Sequence, residues 1–189
     1  MGCDIHLYLE YKHPDVKGWN NWGERYSMGR NYALFGFLAG VRGEGKPIVE
    51  ARGYPSDASW DTNKDFYMWI GDPSNDDDDR TVSLETALDW NNRYGTRILY
   101  KDDGKPARVA NPDWHTPSWL TWDELLSAVA LTEKKHREWL KTDLPNPMLN
   151  THYKNNLNQY LIEYKVILNT METFNRAGSS TRVVFWFDN

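Results

Sequence analysis

The sequence predicts an α+β fold in which a small, mostly antiparallel sheet is covered by helices. Strand-like segments stand at both ends of the chain: MGCDIHLYLEY alternates polar and apolar residues, and STRVVFWFDN is a dense β-branched and aromatic run. Helical patterns lie between them, and the last two are adjacent, which favours a C-terminal helical hairpin. We expect the first and last strands to pair in one sheet.

The length and the cysteine content favour one cytosolic domain spanning residues 1–189. A chain of about 150 residues already buries about 70% of the surface that it exposes when unfolded. Cys3 is the only cysteine, so the chain forms no internal disulfide, and a reducing compartment is the default. No secretory signal and no apolar stretch of about eighteen residues is recognisable. We therefore expect a soluble protein without a membrane partner.

The first half of the chain predicts three strands and one helix. The opening strand ends at HPD, and GWNNWGERYSM is typical of a turn with a short partner strand. Apolar residues at near-helical spacing in NYALFGFLAGV predict a buried helix closed by Gly43 and Gly45. Residues 46–65 are rich in Gly, Pro, Ser and Asp, so we expect a loop, followed by a strand in FYMWIGDP.

The second half predicts three helices and two strands. Ser83 is placed to cap a helix through LETALDWNNRY that ends at Gly95, and TRILYKD is typical of a strand. KPARVANPDWHTPSW is expected to be a loop. Thr121 and Glu124 form a capping box before the next helix, and a long amphipathic helix then ends at Gly178 ahead of the final strand.

The charge of the chain argues against a nucleic-acid polymer as partner. It carries 22 Lys and Arg against 27 Asp and Glu, a net charge of -5. Affinity for DNA or RNA depends largely on neutralising phosphates with Lys and Arg, so a long polyanion would be repelled. A single nucleotide stays open, because a local group of two or three arginines can hold it whatever the net charge.

The first candidate site residues are Asp4 and His6. Alternate residues of a strand point to the same face, so this carboxylate and imidazole could share a ligand or a proton. Alternatively, Asp4 only orients or salt-links His6 on a solvent-facing surface.

The second candidate group contains three arginines. Arg30 and Arg42 bracket the predicted buried helix, and Arg52 lies in the tight loop ARGYPSD. The planar guanidinium recognises phosphate or carboxylate with two parallel hydrogen bonds, which makes loop arginines good anion ligands. Each could instead pair with a nearby acid such as Asp57 or Glu50.

The third candidate group is DWHTPSWLT, just before the capped helix. His115 and Ser118 could donate hydrogen bonds to an anion at the helix N-terminus, and Trp114 or Trp119 could stack on a base. The alternative is that Ser118 supports a turn and Trp119 packs onto the helix as a hydrophobic staple.

Signatures of common enzymes and cofactor sites are not recognisable. The sequence contains no P-loop, no dinucleotide glycine fingerprint, no nucleophile elbow and no paired-histidine zinc helix. We therefore expect no metal and no cofactor. His6 and His115, with acids nearby, are compatible with acid–base cleavage of a phosphodiester, a pattern of low specificity.

Five segments together resemble a family of small uncharacterised proteins of bacteriophages and prophages. They are MGCDIHLYLEY, GRNYALFGFLAGVR, ARGYPSD, HTPSWLTWDEL and RVVFWFDN, and they extend from the first residue to the last. Relatives often have HSHSWLT where this chain has WHTPSWLT, so one histidine or serine is missing beside His115. The resemblance implies a phage protein in the host cytoplasm, and by analogy a counter-defence protein.

The leading hypothesis is a binding protein, rather than an enzyme, that sequesters a small nucleotide-derived immune signal such as a cyclic nucleotide or an ADP-ribose derivative. One alternative is a phosphodiesterase with His6 and His115 as acid and base and Asp4 as orienter. Another is an inhibitor that presents exposed tryptophans to a host protein. A homo-oligomer is left open. The hypothesis assigns ligand contacts to His6, Arg30, Arg42, Arg52, His115, Ser118 and Trp119.

Overall fold

The computed structural model describes residues 2–43, 45–75, 80–141 and 159–188. The chain divides into two compact units, one formed by residues 1–58 and 116–189 and the other by residues 59–115. Both contain helices and a mostly antiparallel sheet, which confirms the α+β prediction. The expectation of a single domain stays a prediction.

The elements are numbered in chain order. The strands are β1 (Asp4–Lys12), β2 (Asn20–Asn21), β3 (Tyr26–Ser27), β4 (Tyr67–Ile70), β5 (Thr81–Val82), β6 (Ile98–Tyr100), β7 (Pro106–Ala110), β8 (His115–Thr121) and β9 (Ser180–Asp188). The helices are α1 (Tyr32–Ala39), α2 (Trp60–Phe66), α3 (Leu84–Tyr94), α4 (Trp122–Trp139) and α5 (Gln159–Arg176), with a 3-10 turn at Pro73–Asn75.

The sheet of the first unit is built around the two ends of the chain. Its strand order is β2-β1-β9-β8, and β3 also pairs with β1. Strands β1 and β9 are antiparallel partners from Asp4 opposite Asp188 to Lys12 opposite Ser180. The predicted pairing of the first and last strands is therefore confirmed, and it fixes which side chains share a face.

One face of the β1–β9 pair packs on helices and forms the core. Alternate residues of both strands point there, and α1, α4 and α5 cover them. The other face, which we call the polar face, carries the charged residues of both strands. The core includes Ile5, Leu7, Leu9, Leu34, Phe35, Leu120, Leu125, Leu161, Tyr164, Val183, Phe185 and Phe187. The polar face carries Asp4, His6, Glu10, Arg182 and Asp188.

Helix α1 ends earlier than the sequence predicted. Asn31 caps its start by accepting from the Leu34 N–H, and Gly40 ends it with a left-handed φ of 71°. The predicted ending at Gly43 is therefore wrong. Gly43 is used differently: its Cα lies so close to Gly36 that a Cβ would lie 2.8 Å from the Gly36 Cα.

Helices α4 and α5 form the predicted C-terminal hairpin. The capping box is confirmed, since the Thr121 N–H donates to the Glu124 carboxylate at 2.9 Å. The Trp122 indole N–H donates to the Leu168 carbonyl at 3.0 Å. The first part of the last predicted helix, before Gln159, lies outside the described residues.

The second unit contains a four-stranded sheet of order β5-β4-β7-β6. Strands β4 and β5 are parallel, and the other pairs are antiparallel. Helix α3 confirms its prediction in detail: the Ser83 hydroxyl accepts from the Thr86 N–H, and Gly95 ends the helix with a φ of 68°.

Two predicted loops contain regular structure. Residues 46–65 include most of α2, whose Ser59 cap precedes a mainly polar segment with only Thr62 and Phe66 buried. So few apolar residues give no readable helical period. The proline-bearing segment 105–119 contains β7 and most of β8, because Pro106 is the first residue of β7 and β8 is the last strand in its sheet order. Both are places where a strand tolerates proline. Among the described helices, none is long and apolar enough to cross a membrane.

Candidate functional site

A group of charged side chains lies on the polar face where β1 begins, β9 ends and β3 pairs with β1. We call this group the terminal cluster. Its centre is His6, whose Nε2 lies 2.9 Å from Asp188 Oδ2. On the other side of the ring, Nδ1 lies 2.9 Å from an Arg25 guanidinium nitrogen. Because guanidinium only donates, Nδ1 accepts and Nε2 carries the proton given to Asp188. The terminal cluster comprises Asp4, His6, Arg25, Arg30 and Asp188.

The His6 ring is held by packing as well as by hydrogen bonds. It stacks on the buried Trp186 with ring centroids 5.4 Å apart and planes 7° from parallel. Trp186 lies directly opposite His6 on β9, so the strand register itself creates this contact. His6 therefore has a fixed orientation, with Arg25 at its outer nitrogen.

Arg30 and Asp4 form the second pair of the terminal cluster. The Arg30 Nε–H and one Nη–H donate to the two oxygens of Asp4, at 2.5 Å and 2.7 Å. This hydrogen-bonded pairing holds the pKa of Asp4 below its ordinary value. Both side chains are about half exposed, at 52% and 51%. The pair is therefore open to solvent, and a competing anion can reach Arg30.

Gly2 and Cys3 complete the surroundings of the terminal cluster. A Cβ on Gly2 would meet the Arg30 guanidinium, so a larger residue there would require the flexible end of Arg30 to move. Cys3 is buried, and burial raises the pKa of its thiol, while a hydrogen bond with Arg42 acts in the opposite direction. The charges of Asp188 and Asp4 also act on that thiol, so Arg42 borders the terminal cluster.

Arg52, Ser118 and Trp119 lie together at the β8 edge of the first unit. The Arg52 guanidinium stacks over the Trp119 ring at 4.1 Å and donates to both oxygens of Glu124. The Arg52 backbone N–H donates to the Ser118 hydroxyl at 3.1 Å. Ser118 is 1% exposed. These side chains are engaged with one another, and Glu124, which the sequence placed only in a capping box, is the acid that pairs with Arg52.

The hydrogen bonds from Arg52 change the acid strength of Glu124. They lower its pKa below the ordinary value, against the opposing effect of burial. Both members of this pair are mostly buried, with 26% and 23% of their side chains exposed. A ligand phosphate would have to displace a well-shielded carboxylate here, which makes this edge a weaker anion site than the terminal cluster.

The middle of the polar face holds an ionic group that sequence reasoning missed. Arg182 donates to Glu10 at 2.7 Å and to Asp57 at 2.8 Å, and its guanidinium stacks over Trp19 at 4.0 Å. Glu10 is 0% exposed. We call Arg182, Glu10 and Asp57 the central triad. One signal for it was present, since Glu10 continues the alternation of Asp4 and His6 and lies opposite Arg182 once the first and last strands pair.

The remaining predicted residue, His115, is the first residue of β8 and belongs to the second unit. The first unit brings together Asp4, His6, Arg30 and Arg42 at one place, and Arg52, Ser118 and Trp119 at another. A site that combines His6 with His115 stays a prediction. The carboxylate that orients His6 is Asp188, because Asp4 is engaged with Arg30.

The described residues contain no group of three or more His, Cys, Asp or Glu side chains arranged to hold a metal ion. Comparisons with protein-family models, curated proteins and solved structures found no significant match to this chain. The chemistry of the terminal cluster follows from its geometry.

Two chemical properties follow from that geometry. The terminal cluster holds two exposed arginines, Arg25 and Arg30, beside an imidazole that accepts through Nδ1. Guanidinium groups so placed can bind an anion with paired hydrogen bonds. A histidine fixed by an aspartate is also the arrangement by which proteins present a general base.

Proposed function

We propose that this protein binds a small phosphate-bearing nucleotide at the terminal cluster and sequesters it as a phage counter-defence protein. The observation that carries the proposal is the exposed pair of Arg30 and Asp4 beside Arg25 and His6. A solvent-exposed ion pair gains little from its own attraction, so a phosphate can replace the carboxylate at small cost. The immune signal would be a cyclic nucleotide or an ADP-ribose derivative.

The surroundings of the terminal cluster support an anion rather than a cation as ligand. Three arginines, Arg25, Arg30 and Arg42, lie at or beside it, against two aspartates. A phosphate group that displaces Asp4 would still meet guanidinium groups on more than one side. Multiple charge-assisted hydrogen bonds of this kind are the strong ones in proteins.

Isothermal titration against a panel of cyclic nucleotides and ADP-ribose derivatives tests the proposal. We expect heat with at least one member and a loss of about tenfold or more in affinity for Arg30→Gln, since a charge-assisted pair of hydrogen bonds is removed. The matched control is Arg176→Gln, which removes an exposed arginine paired with Glu172 on α5. No heat with any member, or equal affinity for Arg30→Gln and wild type, would overturn the proposal.

A second candidate function is phosphodiester hydrolysis, and the contact between His6 and Asp188 favours it. Asp188, whose Oδ2 lies 2.9 Å from His6 Nε2, fixes the orientation of the ring, as a general base requires. Nδ1 would take the proton once Arg25 moves to the phosphate. In this version Asp188 replaces Asp4 as the orienter.

Chromatography after incubation separates binding from turnover. If the protein sequesters its ligand, heating the protein releases the nucleotide intact. If it is an enzyme, new products appear, and both His6→Ala and Asp188→Asn reduce their rate of formation. Products formed at an unchanged rate by His6→Ala would exclude His6 as the base, and capture of one host protein without any nucleotide dependence would favour the inhibitor hypothesis instead.

A further inference from the structure

A separate group of aromatic and cationic side chains lies on one face of the sheet in the second unit. Trp69 on β4 is directly opposite Arg108 on β7. Directly paired residues of antiparallel strands share a face, so these two side chains lie side by side. The Arg108 guanidinium stacks over the Trp69 ring at 3.9 Å from its centroid. Trp69 is 36% exposed.

The neighbouring row of the same face also contains an aromatic ring and an arginine, which are joined by a hydrogen bond. Tyr67 on β4 is opposite Ala110, whose N–H donates to the Arg97 carbonyl at 3.0 Å. Arg97 therefore continues the register just before β6, and its side chain is hydrogen-bonded to the Tyr67 hydroxyl. Burial raises the pKa of that hydroxyl, against the effect of the Arg97 and Arg108 charges. Tyr67, Trp69, Arg97 and Arg108 form what we call the aromatic–arginine array.

The two arginines of the aromatic–arginine array carry positive charge, although the second unit as a whole is acidic. Residues 59–115 carry twelve Asp and Glu against seven Lys and Arg. Even so, Arg97 is exposed, and within the described residues it forms no ion pair with an acid. An anion is the complement of an exposed guanidinium placed in this way. The acidic surroundings argue against a long polyanion, since phosphate neutralisation there would be poor.

The stacked pair supplies a surface for a planar ring. The Arg108 guanidinium lies flat against the partly exposed Trp69 ring, and bases stack on aromatic side chains as well as on guanidinium planes. The ring of a ligand would add to the Trp69–Arg108 stack, and a phosphate attached to it would reach Arg97 in the next row.

We propose that the aromatic–arginine array binds a single nucleotide, with the base stacked on Arg108 and Trp69 and the phosphate held by Arg97. The array lies wholly in residues 59–115, so it is a site additional to the terminal cluster and does not depend on it.

Adenosine 5′-monophosphate is a suitable probe, with adenosine and inorganic phosphate as its two halves. Titration calorimetry of the full chain should show binding of the nucleotide and at least about tenfold weaker binding of each half. The Trp69 indole N–H signal, assigned with Trp69→Phe, should shift during an NMR titration. Arg97→Gln and Trp69→Ala should each weaken binding about tenfold, the size expected for one charged contact or one base stack.

The matched control is Arg93→Gln, an exposed arginine of the same unit that pairs with Asp89 on α3. It should leave nucleotide affinity unchanged, and the Trp69 indole signal reports binding at the aromatic–arginine array separately from any binding at the terminal cluster. The proposal is overturned if no binding occurs up to about 10 mM nucleotide, or if Arg97→Gln binds as well as wild type while retaining its thermal unfolding profile. If Arg97→Gln or Trp69→Ala is unfolded, the wild-type NMR titration decides by itself. A Trp69 indole signal that does not shift with added nucleotide would overturn the proposal.

Discussion

The terminal cluster and the central triad lie on the same face of the same two strands, yet they differ in what surrounds their charges. Arg30 and Asp4 are about half exposed, whereas 5% of the Arg182 side chain and 0% of the Glu10 side chain are exposed. An exposed pair exchanges partners with ions in solution at little cost. A buried pair cannot be opened without leaving a charge in a low-dielectric environment. Burial, rather than residue type, therefore separates a structural ion group from a site that can receive a ligand.

The largest effect on stability is expected when one charged partner of Arg182 in the central triad is removed. Glu10→Gln leaves Arg182 buried with only the more exposed Asp57 as a charged partner, and should lower the free energy of unfolding by about 3–5 kcal/mol. Chemical denaturation measures the loss. The double variant Glu10→Met with Arg182→Met is the matched comparison, because it removes both buried charges.

The double variant should be more stable than Glu10→Gln alone, since apolar side chains of similar volume often replace a buried ion pair without loss. If the free energy of unfolding of Glu10→Gln stays within about 0.5 kcal/mol of wild type, the Glu10 charge contributes little to stability. The contrast between the central triad and the terminal cluster would then be wrong.

An intermediate effect is expected at the β8 edge. Glu124→Ala removes both the bidentate contact with Arg52 and the capping-box contact with Thr121, and should lower the free energy of unfolding by about 2 kcal/mol. Glu138→Ala, which removes an exposed pair with Lys134 on the same helix, should change it by less than about 0.5 kcal/mol. Equal losses for the two variants would contradict the burial argument.

Glu124 should also make the free energy of unfolding depend on pH. Its pKa is lower in the folded state than its ordinary value of 4.5. The unfolded chain therefore takes up the proton first as pH falls, and the stabilisation is complete above about 4.5 and is lost as pH falls through the folded pKa. Denaturation at several pH values should show the difference between wild type and Glu124→Gln shrinking below pH 4.5. A difference that stays constant down to pH 2 would contradict this assignment.

The smallest effect on stability is expected at the terminal cluster. Asp4→Asn removes the carboxylate from an exposed pair, so the midpoint of thermal unfolding should hardly change. Affinity for a phosphate-bearing ligand should rise, because Arg30 is released and a like charge is removed. Calorimetry with the ligand found by the panel measures this, and weaker binding by Asp4→Asn would mean that Asp4 itself contacts the ligand.

The sequence predicted most of what local patterns determine. Alternation in β1, the β-branched and aromatic run of β9, the Ser83 cap and the Thr121 capping box are signals carried by a few neighbouring residues. The pairing of β1 with β9 was inferred only from their positions at the chain ends. Strand β7 and helix α2 were missed because proline and polar composition hide short elements whose ends are set by tertiary contacts.

The members of the candidate site were predictable in part, for a related reason. Asp4, His6 and Arg30 were recognised from strand alternation and residue chemistry. Asp188 was not, because its contact with His6 depends on the register between strands that are far apart in the sequence. The sequence offered Asp57 or Glu50 as acidic partners for the candidate arginines. In the structure Asp57 pairs with Arg182, and Arg52 pairs with Glu124.

NMR of arginine Nε–H groups tests the central contrast most directly, because it reports both regions in one titration. Pyrophosphate is the minimal probe, and the signals of Arg30 and Arg182 are assigned with Arg30→Gln and with Arg182→Met in the double variant. The account predicts that the Arg30 signal shifts in a saturable manner while the Arg182 signal stays in place. A stationary Arg30 signal, or equal shifts of both signals, would contradict the assignment of the terminal cluster as the ligand site.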